Sequence, residues 1–171
     1  MKKSQLYVLL IAILMACSVG VSAQSSSYCP KDEVVVKCRK ALVPYKYTNM
    51  VVKRIVYKRY NHIDEVSIPL YYDARYRIVF NTELLPKDIK IEIYDKAQGE
   101  KKRKLLASFE SSEKQFNYEP DDDGIYQVYV NFLIPAYIAD DGSSFLKGCL
   151  VMMTGYEDEI AESFSNGGGE E

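Results

Sequence analysis

Apolar and polar side chains alternate with a period of two along most of this chain. Val66, Ile68 and Leu70 alternate with Ser67 and Pro69, and Tyr76, Ile78 and Phe80 with Arg75 and Arg77. Ile89, Ile91 and Ile93 alternate with Lys90 and Glu92, and Tyr126, Val128, Val130 and Phe132 with Gln127 and Asn131. Residues two apart in a strand share a face, so each run predicts a strand with one packed and one wet face. Such one-sided strands belong to antiparallel sheets. Val34, Val36 and Cys38 fit the same pattern and predict a first strand over Glu33–Lys40. Leu105–Glu110, Gln115–Tyr118 and Cys149–Tyr156 add further strands.

Turn chemistry separates the runs. Pro86-Lys87-Asp88, Gln98-Gly99-Glu100, Asp123-Gly124 and Asp141-Gly142 supply residues that fix or tolerate turn dihedrals. The expected fold is therefore an all-β antiparallel sandwich, jelly-roll or Ig-like, with about eight or nine strands in a single domain. One segment is ambiguous. Met50–Tyr60 places Val51, Val52, Ile55, Val56 and Tyr60 at helical spacing, yet it is rich in β-branched residues. A strand is the favoured expectation; the alternative is a basic amphipathic helix suited to a surface contact.

The first residues change the picture. Lys2 and Lys3 precede an apolar run from Leu6 to Ala16, and Val21-Ser22-Ala23 follows with small side chains. This is the pattern of a secretory signal peptide over residues 1–23, cleaved before Gln24. The run is about half the roughly 20 residues a spanning helix needs. Leu14-Met15-Ala16 before Cys17 is a weaker lipidation pattern. The expected organisation is a signal peptide (1–23), a polar leader (24–30), a β-sandwich (31–156) and an acidic, disordered tail (157–171). The expected location is periplasmic, outer-membrane-associated or secreted.

Removing the signal leaves 148 residues, enough to bury a core without cross-links. Charge is uneven: Lys31 to Tyr60 holds nine basic and two acidic side chains, and Glu110 onward holds two basic and fourteen acidic. A net acidic chain of this kind lacks the footprint of a nucleic-acid binder. Export makes Cys29, Cys38 and Cys149 candidates for oxidation. If the first strand pairs antiparallel with Lys147–Thr154, Cys38 falls opposite Cys149, about 4.5–5.5 Å away and within bonding reach. Cys29–Cys38 and Cys29–Cys149 are the rival pairings.

Candidate chemistry is sparse. The single histidine, His62, sits in a turn-like Tyr60-Asn61-His62. A Cys–His pair with Cys38 or Cys149 would define a thiol-dependent enzyme, a remote alternative. The sequence has no Gly-x-Ser-x-Gly elbow, zinc-type His pair or phosphate-binding Gly loop, so neither a catalytic residue nor a cofactor is assigned. Asp121-Asp122-Asp123 and Asp140-Asp141 are acidic, but a straight strand would hold them too far apart to share a calcium ion. Lys101-Lys102-Arg103-Lys104 forms a basic hairpin tip. The surface-binding candidates are Tyr45, Tyr47, Tyr57 and Tyr60 beside Lys46, Lys58 and Arg59, with Tyr71 and Tyr72 as further contacts, because Tyr offers a large amphipathic contact area.

The strands Val66–Leu70 and Tyr76-Arg77-Ile78-Val79-Phe80-Asn81 resemble those of pre-peptidase C-terminal-like β-sandwich domains. So do Ile89-Lys90-Ile91-Glu92-Ile93-Tyr94-Asp95, Gly124–Val130 and Gly148–Tyr156. The chain is more similar still to exported Gram-negative bacterial proteins built on this pattern. The resemblance covers most of residues 33–156 and implies an accessory domain or a carbohydrate-binding-like module. The missing catalytic set and the many tyrosines point to a non-enzymatic binding or structural role in the cell envelope or outside the cell, with a protein or glycan partner. The resemblance supplies no catalytic residues, and the chain lacks the Trp that many glycan platforms use. A carbohydrate-binding-like module and an anionic-surface binder are the alternatives; membrane contact would arise through lipidated Cys17 or basic residues.

Overall fold

The computed structural model describes Cys29 and residues 32–70, 74–120, 125–140 and 146–158. The signal segment, Cys17, Tyr71, Tyr72, the Asp121–Asp123 cluster, Asp141 and the tail beyond residue 158 lie outside the described residues, as does the leader apart from Cys29.

One helix precedes eight strands: α1 (Asp32–Leu42), β1 (Lys46–Val56), β2 (His62–Pro69), β3 (Ala74–Asn81), β4 (Lys90–Tyr94), β5 (Leu105–Glu110), β6 (Gln115–Tyr118), β7 (Gln127–Ile134) and β8 (Lys147–Asp158). They form two antiparallel four-stranded sheets with the orders β1-β8-β3-β6 and β2-β7-β4-β5. This interleaving is the jelly-roll arrangement of the β-sandwich. The expected all-β sandwich in one domain is the fold, and Met50–Val56 is part of a strand.

The core follows the alternation. Tyr76, Ile78, Phe80, Leu150 and Met152 of the first sheet face Ile68, Ile91, Ile93, Val128, Val130 and Phe132 of the second. Phe116 stacks between Phe80 and Phe109, with centroids 4.9 and 4.4 Å away. At the β1/β2 edge, Lys53 and Asp64 form an ion pair at 3.0 Å between the two sheets.

The expected strand over Glu33–Lys40 is a helix. Val34, Cys38 and Leu42 recur every four residues and form its buried face, whereas Val36 is 51% exposed. Asp32 and Glu33 lie in its first turn and Arg39 and Lys40 in its last, a distribution that favours the helix dipole. Three consecutive valines satisfy a period of two as readily as 3.6, and the neighbouring sheet decides. The helix packs on the outer face of the first sheet, against Val79, Val151 and Met153. Central strands β3 and β8 are thus buried on both faces, which explains the continuous apolar run Cys149–Met153.

The pairing of Cys38 with Cys149 is also corrected. Cys149 is bonded to Cys29, with Cα atoms 6.0 Å apart, and Cys38 is a free, buried thiol. β8 lies between β1 and β3, and Arg54 of β1 occupies the position opposite Cys149.

Candidate functional site

The tyrosines and cations expected to form one surface patch are divided between the two ends of β1. Tyr45, Lys46 and Tyr47 lie at its start, and Tyr57, Lys58, Arg59 and Tyr60 follow its end. Eleven residues at about 3.3 Å each hold the groups roughly 30 Å apart. At the first end, the Arg77 guanidinium lies 4.3 Å from the Tyr45 ring centroid. Arg77 donates from Nε to Glu119 (2.6 Å) and from Nη1 to the carbonyls of Ala41 (3.2 Å) and Val43 (2.9 Å), closing the C-terminus of α1. Tyr45 donates to Glu119 at 3.0 Å, and desolvation followed by that bond raises its pKa. Tyr47 is exposed, with Arg39 5.1 Å over its ring, and Lys46 is exposed.

Tyr57 is not a surface residue. It is fully buried, and its hydroxyl donates to the Lys87 carbonyl. Burial pushes its phenol up to about 12. The run past β1 turns inward at Tyr57 and outward again at Tyr60, which is 61% exposed. Lys58 is half-buried, with Nζ 5.7 Å from the Tyr60 centroid, and Arg59 is exposed.

The basic hairpin tip is likewise divided. Lys101, Lys102 and Lys104 are exposed, while Arg103 turns onto the outer face of the second sheet. That face has no helix over it among the described residues. Antiparallel register builds it in rows: Ser67, Tyr129, Tyr94 and Leu105 across one, Glu65, Asn131, Glu92 and Ser108 across the next. Arg103 lies 3.6 Å over the Tyr94 ring and donates to Glu65 (2.7 Å), Asn131 Oδ1 (3.0 Å) and the Lys96 carbonyl (2.7 Å). One guanidinium therefore joins β2, β7, β4 and the β4–β5 loop, as its planar fork permits. Glu65 also accepts from the Gln98 backbone N–H at 3.0 Å. Glu92 accepts from Lys90 and Tyr94, both at 2.8 Å, and the Lys90 contact leads in holding its carboxyl below the usual range.

Beside this network the sheet opens into a hollow of about 400 Å³. Tyr126, Gln127 and Tyr129 form one wall and Asp95, Lys96, Glu100 and Lys104 the other, with Leu106 and Ile125 between. Asp95 fastens the loop by accepting from the Lys104 backbone N–H at 2.7 Å. Tyr126, expected to face the core, is 46% exposed here, because β7 begins one residue later. The hollow carries rings, both signs of charge and an amide in an open concavity, at the small end of ligand-site sizes.

The Cys–His arrangement is not formed. Cys38 lies on the buried face of α1, against the first sheet, and desolvation, then Glu83, raises its thiol to about 11. His62 begins β2 in the second sheet, with its ring edge-on to Tyr60 at 5.9 Å. Among the described residues, no three His, Cys, Asp or Glu side chains converge to hold a metal ion, and no helix is long and apolar enough to cross a membrane. No protein-family model matches the chain, and no curated protein matches it.

Proposed function

We propose that this chain is an exported, non-enzymatic binding module that takes a carbohydrate ligand in the hollow at the end of its second sheet. The observation that carries this reading is the tyrosine-walled hollow continuous with a fastened sheet face. Sugars present apolar C–H faces and polar hydroxyl edges. Tyr126 and Tyr129 match the first, and Gln127, Asp95 and Lys96 match the second. The Arg103 network beside the hollow fastens its Lys96 side, which lowers the ordering cost of binding. The Cys29–Cys149 disulfide is compatible with export.

The test is a glycan array followed by calorimetry on the hits, with wild type and the variants Tyr126→Ala and Tyr129→Ala. At least a tenfold loss of affinity in each, with an unchanged circular dichroism spectrum, is expected. Retention of no glycan, or equal affinity in all three proteins, would sink the reading. Export is tested separately by envelope fractionation and N-terminal sequencing, with Gln24 as the expected first residue.

A further inference from the structure

The outer edge of β1 carries free backbone groups, far from the wall residues of the hollow. β1 is the terminal strand of its sheet and pairs with β8 on one side. The Tyr57 N–H donates to the Leu146 carbonyl at 3.0 Å, which continues the ladder and fixes which groups face β8. Val51, Lys53 and Ile55 bond to β8, so the N–H and C=O groups of Val52, Arg54 and Val56 point away from it. None of these outward groups has a partner among the described residues. The window is closed at both ends. The Met50 N–H donates to Asn49 Oδ1 at 2.8 Å, and the Lys58 carbonyl accepts from the Tyr137 N–H at 2.7 Å.

The other described edges are guarded. β6 and β5 have four and six residues. On β2 the Leu70 N–H donates inward to the Tyr126 carbonyl, so Pro69, which has no N–H, stands on the outward row. β1 has eleven residues, and Lys53, beside the middle of its window, is held by Asp64 at 3.0 Å.

Side chains along the window define what fits it. Met50 and Val52 are half-buried on the side facing α1. Arg54 shares their face, is exposed, and lies opposite Cys149. It forms no ion pair among the described residues. Asp64 is taken by Lys53 and Glu157 by Arg75, and neither Asp32 and Glu33 of α1 nor Asp140 bonds to it. An added strand therefore meets one unpaired cation midway, and a carboxylate directly opposite stabilises the pair whatever the charge of the wider surface. A second copy of β1 fits poorly. A two-fold centred on Arg54 or Lys53 sets that cation against its own copy. One centred on Val52 needs the Met50 N–H that Asn49 holds, and one centred on Ile55 needs the Lys58 carbonyl that Tyr137 holds.

We propose that β1 receives an extended segment of another protein as an antiparallel fifth strand of the first sheet, with a carboxylate opposite Arg54 and apolar side chains opposite Val52 and Val56. Backbone hydrogen bonds supply the affinity and the alternate side chains the specificity.

The experiment is amide hydrogen exchange by NMR on nitrogen-15-labelled protein, alone and with excess of the peptide Val-Thr-Glu-Thr-Val-Thr-Val or its Glu→Lys counterpart. In the free protein Val52, Arg54 and Val56 should exchange faster than Val51, Lys53 and Ile55. The Glu peptide should slow those three amides, and the Lys peptide should bind more weakly by about threefold or more. N-methylation of the glutamate and the following valine, whose N–H groups face β1, should abolish binding; N-methylation of the two threonines flanking the glutamate should not. Arg54→Glu should reverse the preference between the peptides. Val52→Pro, which removes only an outward N–H, should block both, with near-ultraviolet circular dichroism as the check on folding. No slowing with the Glu peptide, equal affinity of the Glu and Lys peptides, or indifference to the inward N-methyl groups overturns the proposal. So does a dimer in analytical ultracentrifugation whose three edge amides are already slow, since the occupant would then be a second copy.

Discussion

Cys29 is bonded to Cys149 across a separation of 120 residues, and the bond ties the entry to α1 to the central strand β8. The third thiol, Cys38, lies on the buried face of the same helix at 0% exposure. Cys29→Ser should lower unfolding free energy by about 2–4 kcal/mol, read as a fall in urea midpoint. In the native wild type Cys38 should stay silent to a thiol reagent, and react once the protein is unfolded in urea. Rapid native labelling of Cys38 would show that α1 does not seal this face.

Gly155 lies where the last turn of α1 crosses β8. A Cβ there would come within 2.8 Å of the Lys46 carbonyl oxygen and 2.9 Å of Leu42. The carbonyl belongs to a paired strand and cannot swing aside. Gly155→Ala should cost about 1–3 kcal/mol, and Gly155→Val more, in chemical denaturation. An unchanged midpoint for both would mean that the helix is not held against this strand.

Arg103 is the hub of the second sheet's outer face. Arg103→Ala leaves Glu65 without its ion pair and Asn131 Oδ1 without its Arg103 donor, and should cost about 1.5–3 kcal/mol. Arg103→Lys should recover less than half of this loss, because an ammonium cannot reach three acceptors and cover the Tyr94 ring together. Full recovery by lysine would reduce the network to a single charge contact.

Stability should fall at both ends of the pH scale for separate reasons. The Tyr57 phenol is raised from 10.0 to about 12, so its neutral form is favoured in the folded state. Its contribution is complete below pH 10 and is lost as pH rises toward 12. Tyr57→Phe should remove part of this alkaline decline in melting temperature. On the acid side, Lys37 leads in lowering the Glu83 carboxyl and Lys90 in lowering Glu92, both from 4.5. Their contributions are present above that pH and lost as it falls through the depressed values. The acid effect should be small, because these pairs face solvent. A melting temperature flat from pH 9 to 12 would contradict the buried Tyr57.

Strand identity in β2 through β8 was largely legible because alternation is local. A side chain two residues along returns to the same face whatever lies beyond it. Ile68, Ile78, Ile91 and Val130 each face the core, as their polar neighbours implied. The candidate site was less legible. Arg103, Glu65 and Asn131 meet only through strand register, and their sequence neighbourhoods carry no mark of the meeting. Tyr57 and Tyr60 are alike in sequence but opposite in burial, since a carbonyl from another loop reaches only the first.

The sequence by itself determined the strand periodicity and core face of most strands from β2 to β8 and the turns at Pro86–Asp88 and Gln98–Glu100, because backbone geometry and side-chain polarity act over a few residues. Only the tertiary structure decided that Val34-Val35-Val36 coils into a helix, that Cys149 joins Cys29, and that this helix covers the outer face of the first sheet. Each of those outcomes depends on which surface a distant segment brings alongside. Packing free energy selects that surface, and local pattern carries no term for it.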